Sequence, residues 1–136
     1  MTDGFSSVLD ASALLAHLND EEGADAVEAA LVRGSAISAV NLAEVLSKLA
    51  ELGEEPANAF DSLRRQGLFG TKLSVLPVTE ADAVKIAAMH GKTRVHGLSL
   101  GDRACLALAL RLGLPAFTAD RAWARLKVGV KVETIR

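Results

Sequence analysis

Ser7-Val8-Leu9-Asp10-Ala11-Ser12-Ala13-Leu14-Leu15-Ala16 is the stretch on which the fold turns. A short apolar run ends in a carboxylate, and a helix-forming run starts at the next residue. Val8 and Leu9 read as a buried strand, since a brief apolar run between polar residues suits a strand covered on both faces. Residues 11–18 read as a short helix. Outward from this unit the alternation repeats. Helices are predicted over 21–32, 38–52 (capped by Ser38), 55–66 (started near Pro56) and 79–91, where Thr79-Glu80-Ala81-Asp82 has the form of a capping box. Another is predicted over 100–112, capped by Ser99 and closed by Gly113, and a short one over 121–126. Strands are predicted over 35–37, 73–76, 116–118 and 131–135, and a loop over 91–98. The expectation is an α/β fold, a three-layer sandwich whose mostly parallel central sheet is flanked by helices, with 1–136 as one domain.

Half of the 136 residues are hydrophobic and the mean hydropathy is +0.26, which excludes a disordered chain. No run reaches the roughly 18–20 apolar residues of a membrane span. Met1-Thr2-Asp3-Gly4 has neither the basic nor the apolar region of a secretory leader. The single cysteine, Cys105, makes no internal disulfide and fits a reducing compartment, so a cytoplasmic location is expected. Residues 1–63 carry twelve acidic and two basic side chains, and residues 64–136 carry five acidic and thirteen basic ones. That asymmetry suggests an anionic partner for the second half, unless the fold interleaves the halves and mixes their charges.

Four acids sit where charge is costly. Asp10 ends the first strand, Glu44 lies among Leu42, Val45 and Leu46, Asp102 falls in the first turn of its helix, and Asp120 follows a strand. If the strands run parallel, strand ends and helix starts share one end of the sheet, where ligands of such folds bind. Converging carboxylates repel, and a hard divalent cation is the usual remedy. Mg²⁺ or Mn²⁺ suits such oxygen donors; without a His/Cys set, zinc does not. Plainer readings stand beside this one. Asp102 completes a Ser99-Leu100-Gly101-Asp102 capping box, Glu44 serves as a solvated helix acid, and Asp120 serves as an N-cap. Asp10 is the hardest to explain in that way.

Four blocks resemble the PIN-domain nucleases and occur in that family's order over residues 5–135. They are the stretch from Ser7 to Ala16, Ser38-Ala39-Val40-Asn41-Leu42-Ala43-Glu44-Val45, the stretch from Leu98 to Ala109 around Asp102, and Thr118-Ala119-Asp120-Arg121-Ala122-Trp123. The nearest branch is the VapC-like toxins of toxin–antitoxin pairs. The resemblance implies a PIN-like fold and an Mg²⁺- or Mn²⁺-dependent ribonuclease. Asp10, Glu44, Asp102 and Asp120 would form its acidic, metal-holding cluster, with Ser12 and Thr118 supporting it through hydrogen bonds to carboxylates or to metal-bound water. It further implies an RNA substrate such as transfer RNA, a small antitoxin inserting a segment near the acids, and a homodimer. A housekeeping RNA-processing nuclease is the alternative role.

Arg94, Arg103 and Arg121, with Lys92 and His96, lie near the acids in sequence and are candidates for RNA phosphates. Trp123 reads as a packing residue. Cys105 reads as a small buried residue rather than a nucleophile. His17, His90 and His96 have no spacing that suggests a metal site. A receiver-like phospho-acceptor domain also suits this length, but it needs an acceptor Asp on a middle strand, and residues 73–76 hold none.

Overall fold

The computed structural model describes residues 4–136; the opening residues 1–3, read above for a leader, lie outside them. Five strands form one sheet: β1 (Ser7–Leu9), β2 (Ser35–Ser38), β3 (Leu73–Leu76), β4 (Ala116–Thr118) and β5 (Val132–Thr134). Their order is β3-β2-β1-β4-β5, and each adjacent pair is parallel. This is not the 2-1-3-4-5 order of receiver-type sheets. From β1 the chain winds one way through β2 to β3 and the other way through β4 to β5. The switch point therefore lies between β1 and β4, where a crevice opens beyond the strands' carboxyl ends.

Six α-helices cover the sheet: α1 (Ala11–Leu18), α2 (Ala24–Arg33), α3 (Ala39–Glu51), α4 (Pro56–Arg65), α5 (Glu80–Thr93) and α6 (Leu100–Leu112). Strand alternation splits the core in two. Leu9, Ile37 and Leu73 pack against Leu14 of α1, Val27 and Leu31 of α2, Val45 of α3 and Leu63 of α4. Val8, Ala36 and Ala116 face the opposite way, against Ile86 and Met89 of α5, Cys105, Leu106 and Leu108 of α6, and Trp123. Each layer is thus bound by apolar burial, worth about 1.5–3 kcal/mol for each large side chain. α1–α4 lie on one face and α5 and α6 on the other, yet the helices nearly balance in charge. α1–α4 carry five acidic and four basic residues and α5 and α6 three acidic and four basic, so the asymmetry along the chain does not become one between the helical faces.

Several element boundaries differ from the sequence reading, most by a single residue and three by more or in kind. The helix expected from residue 21 starts at Ala24, because Gly23 turns the chain in the left-handed region (φ 95°). Any β-carbon at Gly23 would fall within 2.7–2.9 Å of Ile135. The helix expected to stop at Gly91 continues to Thr93, whose buried hydroxyl donates to the Met89 carbonyl at 2.9 Å. The left-handed glycine that ends this segment is Gly97, so the expected loop is a helix end followed by a 3-10 turn, Arg94–His96. The short helix near Arg121 is also a 3-10 turn, Arg121–Arg125.

α5 and α6 are strapped together by Asp82 and Arg111. The Arg111 Nε and Nη2 donate to the two Asp82 carboxylate oxygens at 3.0 and 3.1 Å, and Nη2 also donates to the Pro77 carbonyl. Burial alone would raise the Asp82 pKa. The Thr79 N–H and the Arg111 guanidinium outweigh it and hold the carboxyl below its usual range.

Candidate active site

Asp10 is where β1 hands over to α1. It caps the helix, its Oδ1 accepting from the Ala13 N–H at 2.8 Å and from the Ser12 hydroxyl at 2.7 Å. Its Oδ2 accepts from the Thr118 hydroxyl at 2.6 Å, across the switch point at the end of β4. Ser12 and Thr118 each spend their only hydroxyl proton on Asp10, so their mutual 3.4 Å approach is a contact between lone pairs. Their oxygens in turn accept from the Ala119 and Asp120 N–H groups. Asp10 is 4% exposed. Burial pushes its pKa up to about 6, against the pull of the Thr118, Ala13 and Ser12 donors, and the Asp102 charge adds to the rise. No lysine, arginine or histidine forms an ion pair with Asp10 among the described residues.

The other three acids reach the same crevice from separate segments. Asp102 is half-buried in the first turn of α6, and its Oδ2 accepts from the Ser99 N–H at 2.9 Å in a reciprocal capping box. Asp120 is exposed and caps the 3-10 turn through Oδ1 on the Ala122 N–H. Glu44, on α3, is also exposed, and its Oε1 accepts from the Asn41 side-chain amide at 2.8 Å. All four line one cleft of about 640 Å³, together with Glu51 and a single basic group, Lys48. That lysine is already paired with Glu51 at 3.3 Å. Cys105 reports the same field from below. Burial raises its thiol pKa, and the Asp10, Asp102 and Glu44 charges raise it further.

Asp10, Asp102 and Asp120 thus act as caps while lining the same cleft. Capping fixes one oxygen of each carboxylate, while Oδ1 of Asp102 and Oδ2 of Asp120 keep no hydrogen bond among the described residues. The donor set is hard oxygen, with no thiol or imidazole in the cleft lining, and it fits Mg²⁺ or Mn²⁺. No three His, Cys, Asp or Glu groups among the described residues stand ready to hold one ion. Mg²⁺ commonly binds through one or two carboxylates and completes its shell with water and substrate phosphate, which such a set suits.

Arg94, Arg103 and Arg121 do not line the cleft. Arg103 donates to the Ile86 carbonyl of α5 at 2.8 Å, and Arg121 donates to the Arg136 carbonyl at 3.0 Å. Arg94 lies exposed on its 3-10 turn. Trp123 and Cys105 are fully buried.

Sequence reasoning gave no role to Asn41 and Gly101. Asn41 is 0% exposed; its amide nitrogen donates to Glu44 and also to the Gly101 carbonyl at 2.9 Å, while its Oδ1 is buried without a partner. An unpaired buried carbonyl of this kind costs about 1–3 kcal/mol. The available signal was an asparagine inside the apolar stripe of α3, one turn before Glu44.

A family model, the PIN domain, matches residues 7–129. The chain belongs to the PIN domain family. PIN-family membership, with the strand order, sets the receiver-like reading aside. Three solved structures share the fold. VapBC from Salmonella typhimurium, bound to DNA, has a TM-score of 0.71 and 19% identity, covering 97% of this chain and 99% of its own. VapC20 of Mycobacterium tuberculosis, described as a sarcin–ricin-loop-cleaving toxin, has a TM-score of 0.68 and 20% identity, covering 93% and 99%. FitAcB from Neisseria gonorrhoeae has a TM-score of 0.68 and 21% identity, covering 95% and 97%. Comparison with curated proteins yields no match. Among the described residues of this PIN domain, no helix is long and apolar enough to cross a membrane.

Proposed function

We propose that this PIN domain is a metal-dependent endoribonuclease, the growth-inhibiting toxin of a toxin–antitoxin pair. One observation carries the reading. Four carboxylates from four separate segments line a cleft at the sheet's switch point, and the buried one, Asp10, forms no ion pair among the described residues. A divalent cation bound there supplies the means to activate water and to offset charge on the phosphate. Asp10 and Asp102 are the residues that would hold it, with Glu44 and Asp120 at the cleft wall. Ser12 and Thr118 hold both Asp10 oxygens in place, so the carboxylate is oriented before substrate arrives. RNA as substrate is supported by family membership and by two unpaired lysines. Lys85 and Lys92 of α5 form no ion pair among the described residues. They line a groove beside Leu110 and Val128.

The experiment is incubation of the purified protein with total RNA, with Mg²⁺ or Mn²⁺ and with EDTA, followed by mapping of cut ends. Metal-dependent cuts at discrete positions are expected. Metal-independent cutting, or none beside an active control nuclease, contradicts the reading.

A small antitoxin is the proposed protein partner, supported by neighbours solved as toxin–antitoxin complexes. Leu15, Val40 and Ala43 lie beside the acids in the cleft, a surface suited to a segment with both apolar and basic side chains. A homodimer is supported by exposed apolar side chains on α5, on the turn after it and at the start of α6. Val84 is 69% exposed, Val95 79% and Leu100 62%. Apolar side chains so placed gain by being covered. Val84→Glu is expected to shift a dimer toward monomer in light scattering; a wild type that is already monomeric at high concentration excludes the dimer.

A further inference from the structure

We infer that Asn41 is the positioning residue of Glu44, and that Gly101 is the seat on which the Glu44 carboxylate rests. The inference rests on the metal-site reading above and extends it to a clasp between α3 and α6. Both hydrogens of the Asn41 amide are used, one on Glu44 Oε1 at 2.8 Å and one on the Gly101 carbonyl at 2.9 Å. Both partners are acceptors, so the amide's orientation is fixed by chemistry: the nitrogen must face them. Its oxygen is left buried and unpaired, a cost that an apolar side chain at this position would avoid.

Gly101 is the other half of the device. Its backbone is ordinary helix, so it is not needed for a special φ. Space is the requirement, because a β-carbon built there falls onto the Glu44 carboxylate. Glu44 is otherwise an exposed side chain on the cleft wall, with many rotamers open to it. The clasp removes that freedom. It holds the carboxylate against the first turn of α6, the turn that carries Asp102, and so fixes the spacing of two acids from different helices. A buried polar group that costs stability while ordering a charged group in a cleft is the trade expected of a functional site.

The test is calorimetric titration with Mn²⁺ alone of wild type, Asn41→Ala, Glu44→Gln and the double variant, each checked by thermal melting. Asn41→Ala is expected to weaken Mn²⁺ binding roughly tenfold, the size of effect seen when groups orienting a ligand are lost. Glu44→Gln is expected to weaken it as well, and the double variant no more than Glu44→Gln does. Such non-additivity is the mark of action through Glu44. A strut that merely joined α3 to α6 would weaken binding equally in both backgrounds. Gly101→Ala approaches the clasp from the other side and should reproduce the Asn41→Ala loss, again only when Glu44 is present; it carries the test should Asn41→Ala not fold. Additive losses, or unchanged affinity in both single-clasp variants, overturn the inference while leaving the acidic site standing. Absence of Mn²⁺ binding by wild type removes both.

Discussion

Asp10→Asn and Asp102→Asn are each expected to lower metal-dependent RNA cleavage by about a thousand-fold, a loss typical of removing one strong electrostatic contributor to a transition state. Both substitutions keep size and much of the local bonding. Asn at position 10 still offers an oxygen to the Ala13 N–H, so α1 stays capped. Asn at position 102 still offers one to the Ser99 N–H. What disappears is the negative charge that draws a cation. Asp120→Asn should cost less, because that carboxylate is exposed at the cleft's edge. Gel analysis of a cleaved RNA with each folded variant reads the outcome; wild-type rates from Asp10→Asn would refute the assignment.

The metal-free protein is expected to become more stable as pH falls from 7.5 to 5. Asp10 has a folded pKa of about 6 against 3.8 in the free side chain. A raised folded pKa means that the folded state holds the proton more tightly. Its contribution is complete below the unfolded pKa and is lost as pH rises through the folded one. The whole gap is on the order of 3 kcal/mol, and a little under half of it, about 1.4 kcal/mol, is gained between pH 7.5 and 5, a rise of a few degrees in Tm for a domain of this length. Asp82 acts with the opposite sign, but only at lower pH, since its pKa is depressed. Asp10→Asn should flatten the rise between pH 7.5 and 5 and melt at or above wild type at pH 7.5 in EDTA. Mg²⁺ or Mn²⁺ should raise the wild-type Tm more than the variant's, because the ion binds the folded state and requires the charge. If Asp10 served only as a helix cap, Asp10→Asn would melt lower in EDTA and wild type would gain nothing from metal.

Much of this architecture was legible because the strands are short and apolar and the helices carry marked caps. Thr79 and Ser99 announce their capping boxes, and both form. Parallel pairing followed from alternation, and it brought the four acids to one cleft. Boundaries failed where tertiary contacts overrode local signals. Gly91 reads as a stop, yet Met89 and Thr93 are buried on either side and carry α5 through it. Gly23 reads as a residue inside a helix, yet packing under Ile135 makes it the entry turn. The fate of the arginines was out of reach for a similar reason. Arg103 follows Asp102 in sequence but reaches across to a carbonyl of α5, a contact set by helix packing. Asn41 stood inside a quoted block, but its meaning depends on Gly101, sixty residues away.

The central claim is that these carboxylates hold a divalent cation. Crystals of the wild-type protein soaked in Mn²⁺ test it most directly, through anomalous difference density. A peak is expected in the cleft, within about 2.1–2.3 Å of carboxylate oxygens of Asp10 and Asp102, and it should be missing from Asp10→Asn crystals treated alike. A cleft without density at millimolar Mn²⁺, or a peak that survives in Asp10→Asn, would contradict the account.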